Sequence, residues 1–62
     1  HCVKGLIFSY NGLLADYTRL GNLELAIESG LSGIDLAEKE NDEKALIHLM
    51  INTGIAYVDY RK

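Results

Sequence analysis

From the start of the chain to Leu20, apolar residues stand at Val3, Leu6, Ile7, Tyr10, Leu13, Leu14, Tyr17 and Leu20, recurring at the third or fourth position. That spacing draws one stripe along an α-helix and breaks the two-residue alternation a half-buried strand needs. Gly21 then supplies a residue that takes the left-handed conformation at a helix end, and Asn22 follows as an N-cap, with Glu24 in the next first turn. The pattern predicts an antiparallel helical hairpin whose first turn is two residues long.

A second helix, about 23–39, carries Ala26, Gly30, Gly33 and Ala37 at spacings of four, three and four. Each interior glycine costs up to about 1 kcal/mol relative to alanine, so a stripe of this kind needs a closely approaching helix to explain it. Beside it run Leu23, Ile27, Leu31 and Ile34, while Glu24, Glu28, Asp35 and Glu38 occupy the remaining surface. Those acids make a membrane-embedded small-residue dimer too costly, which leaves tight packing between helices in water.

The polar run Glu38 to Glu43 reads as the next connection, with Asn41 suited to a helix end and Asp42 to an N-cap. A third helix, about 43–61, has two apolar stripes. One holds Leu46, Leu49, Met50, Thr53 and Tyr57, and the other Ile47, Ile51, Ile55 and Val58. The expected fold is all-α: a hairpin plus the first helix of a following unit, with helices at about 2–20, 23–39 and 43–61, in a single segment covering 1–62. Two apolar faces call for neighbours on both sides, and the chain opens on His1 rather than Met. Both features are expected of a piece of a longer array.

At an offset of forty, Tyr10, Leu13, Leu14 and Tyr17 fall on Met50, Thr53, Gly54 and Tyr57. A period of that size made of helix, turn and helix is what helical solenoids show, because a lone hairpin cannot bury its own apolar face. Tyr10, Leu13 and Tyr17, followed by Gly21, Asn22, Leu23 and Ala26, resemble the tetratricopeptide repeat, with Gly54 and Tyr57 matching again in the next unit. The chain departs from that family at Leu14, where a small residue is usual, at Gly30, where an aromatic is usual, and in having no proline. Its spacing is about six residues longer than the family's commonest repeat, and EKENDEKAL resembles linkers of the longer repeats in bacterial regulatory proteins and sensor kinases.

The resemblance implies a concave groove lined by the first helix of each hairpin. Carried onto this sequence it selects Asn11, Arg19, His48, Asn52, Ile55 and Asp59, with Ala15, Thr18 and Ile51 beside them. The amides and charges would hydrogen-bond a peptide, and the isoleucines would offer apolar contact. With Arg19 and Asp59 as its clearest charges, the groove lacks the basic cluster that clamps an acidic C-terminal tail.

Other chemistry finds little support. Six Lys and Arg against nine Asp and Glu give a net charge of −3, without the positive field that nucleic acid or an anionic membrane requires. No stretch approaches the roughly 20 apolar residues of a membrane span. His1 and His48 have no metal-ligand spacing, and the acidic run Asp35 to Glu43 lacks the alternation and glycine of a calcium loop. Gly30-Leu31-Ser32-Gly33 has its second glycine one place too early for a nucleophile elbow and lies within a helix. Neither catalytic residues nor a cofactor are expected.

Cys2 alone cannot close a disulfide within the chain and is expected to pack as a small buried thiol, so nothing demands an oxidising compartment and a cytoplasmic setting is favoured. The expected function is a protein- or peptide-binding repeat module of a larger, bacterial-type regulatory or signalling protein, its neighbours being adjacent repeats. The competing expectation is a structural spacer or a homo-oligomerising segment that uses the outer face of the third helix.

Overall fold

The computed structural model describes the backbone from Val3 to Lys62 and the side chains from Gly5 onward; His1 and Cys2, with the expected packing of that thiol, lie outside the described residues. Three helices run up, down and up: α1 (Val3–Leu20), α2 (Leu23–Lys39) and α3 (Glu43–Arg61). No strand occurs among the described residues. The fold is all-α, an antiparallel hairpin followed by a third helix, with α2 packed against both neighbours.

Both turns use one device. Gly21 adopts φ 83°, the Asn22 N–H donates to the Tyr17 carbonyl at 2.9 Å and the Gly21 N–H to that of Thr18 at 3.2 Å. Asn41 adopts φ 54°, with the Asp42 N–H donating to the Ala37 carbonyl at 3.0 Å and the Asn41 N–H to that of Glu38 at 3.1 Å. This paired bonding around a left-handed residue satisfies carbonyls at the helix end. The next helix then begins at once. Asp42 caps α3 by accepting from the Ala45 N–H at 3.3 Å, whereas the Asn22 side chain makes no such bond. Within the polar run Glu38 to Glu43, Glu38 and Lys39 close α2 and Glu43 opens α3, so the connection itself is Glu40 to Asp42, as the expected helix bounds of 39 and 43 imply.

The small-residue stripe of α2 is buried along its whole length, at Ala26, Gly30, Gly33 and Ala37. A β-carbon on Gly30 would collide with the Thr53 hydroxyl, and one on Gly33 would lie 3.0 Å from both Leu49 Cδ2 and Tyr10 Cβ. The glycines thus let α3 reach α2 at one level, and let α1 and α3 both reach it at the other. Ile7, Leu14, Leu49 and Ala56 complete the buried core with those alanines, and Tyr17, Leu23, Ile27, Ile34, Leu36, Ala45 and Leu46 pack around it.

The first of the two α3 stripes turns inward, but only in part. Leu49 and Thr53 are buried and Leu46 is half-buried, but Met50 and Tyr57 are 57% and 50% exposed, and Ala56 takes the inner position instead. A helix pressed against glycines has room for Thr53 and Ala56 and none for a methionine or tyrosine at the same level. The second stripe, Ile47, Ile51, Ile55 and Val58, is exposed throughout.

Candidate functional site

Side by side and parallel, α1 and α3 leave a groove between them on the side away from α2. At its middle the Asn52 side-chain amide donates to the Asn11 side-chain carbonyl at 3.3 Å, joining residues 41 positions apart; both side chains are half-buried. A weak, partly solvated bond of this kind is readily exchanged for bonds to a ligand.

Two clefts flank that pair. The first, about 210 Å³, has Ile7, Ala45 and Leu49 at its base, Phe8 at one edge, and Asn11, Asp42 and His48 around it. The second, about 220 Å³, is formed by Ala15, Thr18, Arg19, Asn52 and Ile55. Thr18 spends its hydroxyl proton on the Leu14 carbonyl at 2.7 Å, so its oxygen can only accept from a ligand. The Arg19 guanidinium donates to Asp16 at 2.6 Å in a solvent-exposed pair, a contact worth about 0.3–0.5 kcal/mol and easily rearranged.

Of the residues selected from the sequence, Asn11 and His48 meet in the first cleft, and Arg19, Asn52 and Ile55 in the second. Asp59 is placed elsewhere, with Ile51 and Val58 on the outer side of α3, and Ile55 borders both regions. Phe8, 77% exposed, was not singled out by the sequence. Its signal was a large aromatic off the helical stripe and one turn before Asn11.

The remaining motifs resolve as packing or surface. Gly30 and Gly33 face neighbouring helices while Ser32 is exposed between them, so no elbow forms. Along the acidic run, Asp35 pairs with Lys39 at 3.3 Å on open surface. No group of three or more metal-binding side chains occurs among the described residues, and no helix there is long and apolar enough to cross a membrane. Comparison with known proteins finds no matching family model, curated protein or solved structure.

Proposed function

We propose that this chain is a protein- or peptide-binding helical-repeat segment of the tetratricopeptide kind, with a regulatory or signalling role within a larger assembly, and that its ligand lies along the α1–α3 groove. One observation carries this reading: the amide pair of Asn11 and Asn52 sits midway between two clefts, one mainly apolar and one beside a cation. Asn11 and Thr18, seven residues apart, stand for the two clefts; the rise of the helix sets them about 10 Å from each other, the reach of about three residues of extended peptide. A peptide crossing the groove would place an apolar side chain against Ile7, Phe8 and Leu49, pass its backbone over the two amides, and bring a polar or acidic side chain to Arg19.

A displayed random-peptide library selected on the 62-residue chain tests the reading. Enriched peptides should lose about tenfold or more in affinity to Asn52→Ala and to Arg19→Glu, which remove a hydrogen bond and reverse a charge at the ligand. Asp59→Ala, on the outer side, should bind as the parent does. Enrichment of nothing, or peptides that bind all three variants equally, contradicts the groove; so does an Asn52→Ala variant that melts several degrees lower, which would make that side chain a packing element.

A further inference from the structure

The first cleft of the groove is apolar at its base and polar at its rim. Ile7, Ala45 and Leu49 form the base, Asn11, Asp42 and His48 stand around it, and the exposed ring of Phe8 makes one edge. Half-buried Asp42 caps α3 through Oδ1, which accepts from the Ala45 N–H at 3.3 Å, and keeps Oδ2 as a further acceptor. No Lys or Arg is among the described residues that line the cleft. A purely apolar occupant would cover that carboxylate without giving it a partner, which is the costly way to bury a charge. A cation at the end of an apolar stem suits base and rim together. We infer that the ligand residue seated here is the arginine of a peptide. Its methylenes lie on Ile7, Ala45 and Leu49, its guanidinium donates to Oδ2 of Asp42, and its plane stacks on Phe8. The assignment rests on the groove being the ligand's path, and it makes the apolar contact in this cleft that of the arginine stem.

Arginine fits better than lysine. A guanidinium is planar and weakly hydrated, so it stacks on an aromatic face at little cost in lost water. Its fork of donors can reach Asp42 and the acceptor nitrogen of a neutral His48 at once, whereas an ammonium is a compact, strongly hydrated point charge. Charge also gives the ligand a direction along the groove. Its arginine sits at the Asp42 end and its polar or acidic side chain at the Arg19 end; the reversed placement would set arginine against Arg19 and carboxylate against Asp42. Asp16 shares the charge of Arg19, so the Asp42 end is the more selective of the two.

Peptides selected on the 62-residue chain from the displayed random library should carry an arginine in common. Synthetic copies with that arginine replaced by glutamine or norleucine should bind about tenfold or more weakly, and a lysine copy severalfold more weakly. Asp42→Asn keeps a side-chain cap and should melt close to the parent. It should lose about tenfold or more for the arginine peptide and little for the glutamine copy. Phe8→Leu, a change to an exposed side chain, should lose about threefold for the arginine peptide alone. Peptides that need Asn52 and Arg19 yet carry an aliphatic or aromatic side chain in place of the arginine would overturn the assignment and leave the groove standing. An arginine peptide that binds the parent and Asp42→Asn alike would do the same. Enrichment of nothing, or peptides indifferent to Asn52→Ala and Arg19→Glu, would overturn the groove and the arginine site together.

Discussion

Gly30 and Thr53 decide how close α2 and α3 come, because no β-carbon fits between them. Gly30→Ala gains up to about 1 kcal/mol of helix propensity yet should lower stability by about 1–2 kcal/mol through overpacking. Gly12→Ala, exposed and with open space around it, should raise stability by about 0.5–1 kcal/mol. Urea unfolding of the two variants checks the contrast. Thr53 buries its hydroxyl with no hydrogen-bond partner, so Thr53→Ala combined with Gly30→Ala should recover most of the loss; a double-mutant cycle measures that coupling. A buried stripe of Ala26, Gly30, Gly33 and Ala37 was legible in the sequence because interior glycines need a packing reason. That Thr53 and Ala56 would oppose it was not, since apolar residues surround much of α3 and two stripes competed for the inner face. The crowding at Gly30 settles that choice, and it depends on three-dimensional approach rather than on spacing.

At the scale of helices and turns, the boundaries were readable because the residues that end and start each helix are also the chemically distinctive ones. Gly21 and Asn41 take the left-handed conformation, and Asn22 and Asp42 follow as caps. Their contributions should nonetheless differ. Asp42→Ala removes a side-chain cap and should cost about 1 kcal/mol, while Asn22→Ala, whose side chain caps nothing, should cost clearly less. Gly21→Ala should cost about 1–2 kcal/mol because its φ of 83° is strained for any residue with a β-carbon. Thermal melts in circular dichroism rank the three. The same reasoning separates two large residues: Leu14, fully buried, should cost about 2–5 kcal/mol on truncation to alanine and leave the chain largely unfolded, whereas half-exposed Tyr57 should cost far less. Tyr57 reads as a core residue from the repeat pattern, but it points outward beside Arg61, whose guanidinium lies 5.9 Å from its ring centroid.

For the whole molecule, the core has Leu14 and Leu49 as its large, fully buried side chains, while a row of large apolar residues on α3 remains in water. A chain of 62 residues with so little buried volume is held by a narrow margin, so whatever covers α3 or fills the groove should raise its melting temperature with concentration. The groove itself was partly legible. Asn11, Arg19, His48, Asn52 and Ile55 come together as the parallel placement of α1 and α3 requires, while Asp59 follows the helix round to the outer side and Phe8 joins the first cleft. A helix turns about 100° per residue, so a face assigned at one end drifts off the groove by the other unless the crossing angle is known. The measurement that bears most directly on the central claim is an amide chemical-shift map of the labelled chain titrated with a library-selected peptide. The account predicts the largest shifts at the side-chain amides of Asn11 and Asn52 and at the backbone of Phe8, Arg19, His48 and Ile55, with Ile47 and Val58 unmoved. Shifts centred on Ile47, Ile51 and Val58, or none in the groove at saturation, would contradict it.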